Sequence, residues 1–401
     1  MSADSPPPAA RGTPLEVLWA FLRLGLTSFG GPIAHLGYFR SEFVERRRWL
    51  DDRAYSDLVA LCQFLPGPAS SQVGIALGLS RAGWAGAFAA WVGFTMPSAL
   101  ALMAFAYGIA QHRTLADSGL VHGLKIVAVA VVAQAVWGMA RTLCPDRPRA
   151  GLAVLATLLT LALPSALGQI AAIVAGGLVG WLWLRPPATA STTQLAVGVS
   201  RRAAAVALVL FAALLLGLPL VAAASGSLWP LIDGFYRAGA LVFGGGHVVL
   251  PLLEAVVVPS GVVSQADFLA GYGAAQAVPG PLSSFAAYLG AVMTGPWGGW
   301  VGGPLLLAVI YLPAFLLVVG ALPFWDALRR REAIRSALAG VNAGVVGLLL
   351  SALYDPVWTG AIHTRADFGL ALAAFALLVV ARVPPVAVVL FTALGGWWLG
   401  A

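Results

Sequence analysis

A break between two prolines interrupts an apolar stretch of the chain at residues 64–74, which read FLPGPASSQVG, and it returns at residues 278–286 as VPGPLSSFA. Proline lacks the N–H group that a helix interior requires, so each PGP can end one helix just before another begins. The serines then lie in the first turn of the new helix, where free N–H groups and the helix dipole favour an anion. The motifs therefore predict two helix starts suited to an oxyanion. The alternative is a kink whose serines cap their own backbone.

Glycine pairs form a second repeated motif, FGGP at residues 29–32 and FGGG at residues 243–246. Glycine permits close backbone approach and unusual dihedral angles, and Pro32 can begin a half-helix, although glycine pairs also serve ordinary helix packing. The loop residues predicted to contact the anion are Gly30, Gly31, Pro66, Gly67, Pro68, Ser70, Ser71, Gly244, Gly245, Pro279, Gly280, Pro281, Ser283 and Ser284.

Charged residues inside apolar segments are costly and usually functional. Arg23 and Arg237 occupy the same position before the two FGG motifs and could together neutralise a dianion. The alternative is that each side chain extends to the nearer membrane interface. Lys125, aligned with Asn342, is a further candidate for anion binding or coupling.

Titratable residues downstream of the FGG motifs could couple protons to transport, because a group that changes charge near neutral pH can carry a proton. The candidates are His35, His247 and Glu254. Their alternative roles are a hydrogen-bonded histidine and an ordinary loop carboxylate.

The composition indicates a polytopic α-helical membrane protein. Of the 401 residues, 60% are hydrophobic and 10% are charged, and the mean hydropathy is +0.89. Uniformly apolar runs at residues 150–184 and 203–224 are long enough to cross a bilayer, whereas a β-barrel would show short alternating segments. The polar, proline-rich residues 1–14 are expected to be a cytoplasmic tail without a signal peptide.

Several function classes are disfavoured by the residues that the chain lacks. The two cysteines and five histidines have no disulfide or metal-ligand spacing, and no nucleotide-binding or hydrolase fingerprint occurs. We therefore expect no metal, no cofactor and no enzymatic activity. The net charge of +7 is mostly arginine in short loops, which membrane topology explains without nucleic acid.

An internal repeat becomes visible when the chain is shifted on itself by about 214 residues, which aligns both FGG motifs and both PGP motifs. Pro97 then aligns with Pro313, Gly123 with Gly340, and Gly180 with Gly396. Matches in the same order from the first FGG motif to Gly180 predict two structurally equivalent halves.

The arginines predict that the two halves have opposite orientations. Residues 40–53 carry five arginines, whereas their counterpart at residues 254–267 carries no lysine or arginine. The asymmetry reverses later, because residues 112–119 are sparse in arginine and residues 329–335 are dense. Since basic loops stay in the cytoplasm, segments 40–53 and 329–335 are both predicted to be cytoplasmic.

The predicted fold class is an all-α polytopic membrane protein with two inverted-topology repeats, broken or re-entrant helices, and a linking transmembrane helix. FGG and PGP would mark hairpin tips, the alternative being kinked full crossings. The N-terminus is expected in the cytoplasm and the C-terminus outside. The predicted divisions are a tail (1–14), the first repeat (15–185), a linker (186–229) and the second repeat (230–401), with crossings at 84–110, 120–140, 152–163, 168–184 and 203–224.

At these motifs the sequence resembles the chromate ion transporter (CHR) superfamily in its long, two-domain form. The resemblance rests on FGGP with His35, PGPxSS with Gln63, and their copies FGGGH and PGPLSS, and it extends over residues 15–399. It implies proton-motive-force-driven export of chromate, a tetrahedral dianion that mimics sulfate, from a bacterial cell through the inner membrane.

The expected partners are the chromate or sulfate dianion, protons and the lipid bilayer, and a homodimer remains an open alternative to a monomer. A carrier for sulfate or another oxyanion is the alternative function. A lipid-modifying membrane enzyme is disfavoured, because no convergent nucleophile, base or metal cluster is visible in the sequence.

Overall fold

A computed structural model describes residues 12–111, 118–185, 199–226, 228–329 and 331–399. Within these ranges the secondary structure is helical and contains no strand. Six helices are long and apolar enough to cross a membrane: Ala69–Gln111, Gly119–Leu143, Ala166–Trp183, Arg201–Ala224, Gly302–Phe324 and Glu332–Ala361. The all-α polytopic prediction is therefore confirmed. Most of the predicted tail, the 112–117 loop and the 186–198 part of the linker lie outside the described residues.

The described part of the first half contains seven α-helices, and the linking helix follows it. They are α1 (Pro14–Thr27), α2 (Gly31–Arg40), α3 (Asp52–Phe64), α4 (Ala69–Gln111), α5 (Gly119–Leu143), α6 (Arg147–Ala162), α7 (Ala166–Trp183) and the linking helix α8 (Arg201–Ala224).

The second half repeats this order with more interruptions. Its helices are α9 (Leu228–Ala240), α10 (Val249–Val257), α11 (Gln265–Ala275), α12 (Phe285–Val292), α13 (Gly302–Ala321), α14 (Trp325–Arg329), α15 (Glu332–Ala352), α16 (Thr359–Ala361), α17 (Arg365–Val379) and α18 (Pro385–Leu399). At the repeat offset, α1 corresponds to α9, α5 to α15, α6 to α17 and α7 to α18.

Local sequence sets where several helices begin. The side chains of Thr13, Asp51 and Asp146 each accept a hydrogen bond from a backbone N–H group in the first turn of α1, α3 and α6. Such N-caps satisfy donors that the helix itself leaves unpaired. Within α4, Ala82 and Gly83 leave the helical conformation and divide the helix into a short first part and a long second part that contains the predicted 84–110 crossing.

Ion pairs bring three helix ends of the first half together. Glu16, at the start of α1, lies 3.9 Å from Arg47, which follows α2, and 3.2 Å from Arg81, at the end of the first part of α4. With 14 residues, α1 is about 21 Å long, shorter than the ~30 Å hydrocarbon core. The start of α1, the segment after α2 and the end of the first part of α4 therefore lie together, and FGG and PGP lie at the turns between α1 and α2 and between α3 and α4.

The second half has the same arrangement around its PGP motif. The N–H of Thr294, after α12, donates to the Val262 carbonyl before α11 at 2.9 Å, and the Tyr288 hydroxyl donates to the Asp267 carbonyl at 2.8 Å. The ends of α11 and α12 therefore meet, and PGP lies at the turn between them.

The last helices of each half pack on the other half. In one interface, a carbon added at Gly340 of α15 would lie 2.0 Å from the Gly176 carbonyl oxygen of α7. In the other, a carbon added at Gly123 of α5 would lie 2.1 Å from the Thr392 carbonyl oxygen of α18. Because Gly123 and Gly340 are repeat equivalents, the two interfaces are related by the repeat. Each half is completed by helices from the other.

Candidate functional site

Each PGP loop reaches across to the other half of the molecule. The N–H of Gly67 donates to the Val242 carbonyl at 2.6 Å, and the N–H of Gly280 donates to the Ser28 carbonyl at 2.9 Å. Val242 and Ser28 directly precede the two FGG motifs. We call the region formed by residues 28–32, 65–71, 242–246 and 278–284 the junction. The two FGG loops and the two PGP loops thus meet crosswise in pairs that the repeat relates.

The PGP glycines fit the junction because they have no side chain. Gly67 has a φ of 125° and Gly280 a φ of 103°, values that other residues rarely adopt. A carbon added at Gly280 would lie 3.0 Å from the hydroxyl oxygen of Ser98 in α4, and one added at Gly67 would lie 2.6 Å from the side-chain nitrogen of Gln72. The close approach of the loops depends on glycine at both positions.

The FGG glycines adopt the unusual dihedral angles that the sequence predicts. Gly30, Gly31 and Gly244 have φ values of 100°, 78° and 72°. Pro32 lies in the first turn of α2, as predicted for a half-helix that begins at FGGP. In the second half a 3-10 turn, Gly246–Val248, comes between FGG and α10.

The serines of the first PGP motif lie in the first turn of α4, as predicted. The Ser70 hydroxyl is 3.4 Å from Nδ1 of His35, whose ring is buried against Phe94. Ser71 is also buried, and its hydroxyl has no hydrogen-bond partner within the described part of the chain. His35 therefore contacts the predicted site, and Ser71 leaves a free hydroxyl there.

The serines of the second PGP motif differ from the prediction. Ser283 and Ser284 lie in a 3-10 turn, Leu282–Ser284, and the eight-residue helix α12 begins only after them. The Ser284 hydroxyl donates to the Pro281 carbonyl at 2.6 Å. Ser284 therefore bonds to its own backbone, which is the alternative to anion binding given in the sequence analysis.

A cluster of buried hydroxyl groups lies where the two halves cross. We call Ser71, Thr95, Ser283 and Tyr311 the hydroxyl cluster, because the Tyr311 hydroxyl lies close to the other three. The four residues are 4%, 0%, 4% and 1% exposed. The hydroxyls of Ser71, Thr95 and Tyr311 make no contact within the described residues that has the distance and angle of a hydrogen bond.

The sequence interpretation missed Thr95 and Tyr311, although a signal for them exists. Each lies two residues before a proline, in TMP and YLP, and the repeat aligns these two prolines, Pro97 and Pro313. A polar residue at the same position of both crossing helices is the pattern that could have identified them.

A cleft of about 580 Å³, counting its open mouth, reaches the junction. It lies between the first FGG loop, the second PGP loop, α5 and the start of α18, and its lining residues are Gly30, Gly31, Pro32, Val131, Gln134, His247, Ala275, Gln276, Val278, Gly280, Leu282 and Pro385. Among them only His247 can titrate, and its Nδ1 lies 2.7 Å from the Tyr272 hydroxyl oxygen. An anion in this cleft would meet backbone N–H groups, amides and one imidazole.

The two repeat-equivalent arginines have different surroundings. Arg237 forms an ion pair with the buried carboxylate of Asp233 one turn earlier in α9. Arg23 is exposed and makes no ion pair within the described part of the chain, and Trp19 occupies the position that corresponds to Asp233. Neither arginine lines the cleft.

The remaining candidates are spread over two regions. Asn342 lies near the second FGG loop, with its side-chain oxygen 3.6 Å from a carbon added at Gly244, and Lys125 is half-buried in α5. Glu254 lines a different cavity of about 1200 Å³, open to solvent, together with Asp355 and Gln169. The structure therefore brings His35 and His247 to the junction but places Glu254 in a separate cavity.

Comparison with known proteins matches both halves to one family. The sequence profile of the family described as chromate transporter matches residues 15–181 and again residues 229–397. The chain is 30% identical to a chromate transport protein of Pseudomonas aeruginosa over 84% of this chain and 79% of that protein. It is 27% identical to a chromate transport protein of Cupriavidus metallidurans over 84% and 81% of the two chains.

A shorter relative matches only part of the chain. An uncharacterized transporter of Bacillus subtilis, YwrA, is 30% identical over 30% of this chain and 65% of its own length. No solved structure matches the chain.

Proposed function

The chain belongs to the chromate transporter family, and from that premise we propose that it is a secondary active transporter that exports chromate across a bacterial cytoplasmic membrane, driven by the proton-motive force. Chromate transport follows from the family. The direction and the coupling are proposed. The observation that carries the proposal is the crosswise pairing of each PGP loop with the FGG loop of the other half.

The junction is suited to a dianion that must bind and then leave. Its donors are backbone N–H groups at helix starts, hydroxyls and amides, which favour an anion without holding it as tightly as a buried arginine cluster would. Since each loop pair contains one loop from each repeat, a rocking motion of one half against the other would change both sides of the site together.

Charge around the junction would come from the two arginines and the half-buried lysine. Arg23 is the stronger candidate of the pair, because no carboxylate neutralises it within the described chain, whereas Arg237 is already paired with Asp233. We propose that Arg23 attracts the dianion toward the junction, and that Lys125 and Asn342 contribute from α5 and α15.

Proton coupling is proposed for the histidines at the junction and for Glu254 in the separate cavity. His247 lines the cleft and His35 contacts Ser70, so either ring could exchange a proton as the dianion binds or leaves. Glu254 lines an open cavity together with Asp355, so its carboxyl could exchange a proton with the solution that reaches the cavity.

We also propose that the FGG and PGP hairpins are re-entrant in the bilayer and that the repeats have inverted topology, within residues 15–185 and 230–401. The meeting of the ends of the first-half hairpins near Glu16 supports re-entrance. The arginines of segments 40–53 and 329–335 favour a common end for these two segments. That end would be cytoplasmic.

Counterflow in proteoliposomes tests the function. Proteoliposomes that contain the purified protein and are loaded with unlabelled chromate should accumulate labelled chromate from outside. An imposed pH gradient should drive net transport of chromate. Sulfate is the alternative cargo, because the lining of the cleft contains no group specific for chromium. Equal counterflow of chromate and sulfate would identify a general oxyanion carrier. If neither anion shows counterflow, the transport proposal is wrong.

A further inference from the structure

We propose that the hydroxyl cluster is the point at which a tetrahedral oxyanion is held without its water shell, and that Thr95 and Tyr311 donate hydrogen bonds to it directly. The inference rests on the proposed transport function and adds to it two residues and a mode of binding by uncharged donors.

The first support is the state of the hydroxyls. Ser71, Thr95 and Tyr311 are at least nine-tenths buried, and their hydroxyls have no hydrogen-bond partner within the described part of the chain. Buried polar groups are nearly always hydrogen-bonded, since leaving a donor unpaired is costly. Other buried threonines follow this rule, for example Thr392, whose hydroxyl donates to the Val388 carbonyl at 3.0 Å. Three buried hydroxyls without partners among the described residues therefore favour the binding of a ligand that accepts hydrogen bonds.

The second support is the origin of the four groups. Ser71 comes from the first part of α4, Thr95 from its second part, Ser283 from the 3-10 turn before α12, and Tyr311 from α13. Both repeats therefore contribute one PGP serine and one residue of a crossing helix. Hydroxyls that approach one point from four segments can surround a tetrahedral ion, whose oxygens point in four directions.

The third support is the position of the hydroxyl cluster next to the cleft. Leu282, which precedes Ser283, lines the cleft, and so does Gly280, which contacts Ser98 one turn beyond Thr95. An anion that moved from the cleft past the second PGP loop would reach the hydroxyl cluster next. The described side chains that form this cluster carry no formal charge, so release would not require breaking an ion pair.

The test uses variants that remove one hydroxyl and little else. Tyr311→Phe keeps the ring that packs edge-on against Trp91 at 5.8 Å, and Thr95→Val keeps the shape of threonine. Loss of a hydrogen bond to a charged ligand should weaken chromate binding by roughly tenfold to a hundredfold in each variant. KM for chromate in proteoliposomes and equilibrium binding of radiolabelled chromate to purified protein should both change, and Thr95→Ser should restore most of the affinity.

Two control variants match the burial of the test positions. Tyr236→Phe removes a tyrosine hydroxyl that donates to the Phe211 carbonyl at 3.1 Å, and Thr392→Val removes a hydroxyl in α18. Both controls should bind chromate like the natural protein. If Tyr311→Phe does not accumulate as folded protein, the difference in chromate affinity between Thr95→Val and Thr95→Ser tests the proposal.

The outcomes separate this inference from the proposed function. If the natural protein moves neither chromate nor sulfate, the transport proposal fails. If it moves chromate and the Thr95 and Tyr311 variants bind within about twofold of it, transport stands and the hydroxyl cluster is overturned as the binding point. Inhibition by sulfate that weakens in parallel in both variants would assign the hydroxyl cluster to tetrahedral oxyanions in general.

Discussion

At the scale of single residues, the Asp233–Arg237 ion pair distinguishes the two halves. The Asp233 side chain is 4% exposed and its partner is 29% exposed, while the equivalent first-half residues are Trp19 and Arg23, which forms no ion pair among the described residues. Residues that occupy the same position in the repeat thus have different surroundings. In α9 a carboxylate balances the charge, and we propose that in α1 the charge attracts the anion.

Substitution of the two arginines should therefore have different consequences. Arg237→Gln leaves a buried carboxylate unpaired, which costs about 3 to 5 kcal/mol for a fully buried pair and less here because Arg237 is partly exposed. We expect reduced accumulation of folded protein, restored in the Asp233→Asn, Arg237→Gln double variant. Arg23→Gln should accumulate normally and transport chromate with a higher KM. Normal thermal stability of Arg237→Gln would contradict this assignment.

A pH dependence is expected from Glu42, which lies in the short π-helix Ser41–Arg46 outside the membrane-spanning helices. Burial opposes ionisation of this carboxyl, but hydrogen bonds from Arg46 and Arg47 outweigh it and hold the pKa of Glu42 below its ordinary value. The unfolded chain then binds the proton more tightly than the folded chain, so the contribution is present above the ordinary pKa and is lost as the pH falls through the lowered one.

Glu42→Gln should remove this contribution. At neutral pH the melting temperature of the detergent-purified variant should fall by roughly 2 °C or less, since the pair is partly exposed. Below the folded pKa of Glu42 the difference from the natural protein should disappear. A constant difference at all pH values would mean that packing, and not charge, is responsible.

The position of Ser70 and Ser71 in the first turn of a helix could be predicted because proline and the helix start act locally. The meeting of Thr95 with Tyr311 could not, because it depends on how the halves cross. A sequence motif records what a residue does to its own helix, and the hydroxyl cluster arises between helices.

At the scale of elements, hydrophobicity and chain breaks predicted most helices. The segment predicted at 152–163 corresponds to the helix Arg147–Ala162, which is not among the six candidate spans, and that at 168–184 corresponds to Ala166–Trp183, which is one of them. The 3-10 turn before α12 was not predicted, since both PGPxSS motifs look alike in sequence. The bond from the Ser284 hydroxyl to the Pro281 carbonyl accompanies that turn and could not be read from the motif.

The second PGP loop should be sensitive to a single added methyl group. Gly280→Ala places a side chain at a φ of 103° and brings its carbon to 3.0 Å from the Ser98 hydroxyl, so the bond to the Ser28 carbonyl should weaken. A left-handed conformation costs roughly 1 to 2 kcal/mol for a residue other than glycine. We expect a lower melting temperature and a higher KM for chromate.

The matched control is Gly138→Ala in α5, where an added carbon meets no other atom within 4 Å. This change should be neutral or slightly stabilising, because alanine favours a helix. Equal melting temperatures for the two alanine variants would show that the junction tolerates a side chain at Gly280.

At the scale of the whole molecule, the last helices of the two halves are exchanged, since α7 packs on α15 and α18 packs on α5. The repeat could be predicted because both halves carry the FGG and PGP motifs in the same order. The exchange of the last helices could not, because a repeat offset does not tell which copy a helix packs on.

Labelling of single cysteines from one side of the membrane tests the orientation. A cysteine replacing Arg47 should react only from the cytoplasm, and one replacing the exposed Ala266 only from outside. Cys62 and Cys144 would first be replaced by alanine. Reaction of both introduced cysteines from the same side would contradict the inverted arrangement.

The exchanged helices also have a consequence for biosynthesis. The groove around Gly119 and Gly123 in α5 is filled by Gly396 and Thr392 of α18, close to the end of the described chain. The first half enters the membrane during translation, before α18 has been synthesised. Until α18 is present, the glycine face of α5 is exposed to lipid. Closure of this groove therefore requires α18, and chains that stop before Pro385 should persist as protease-sensitive intermediates, however well their earlier helices have inserted.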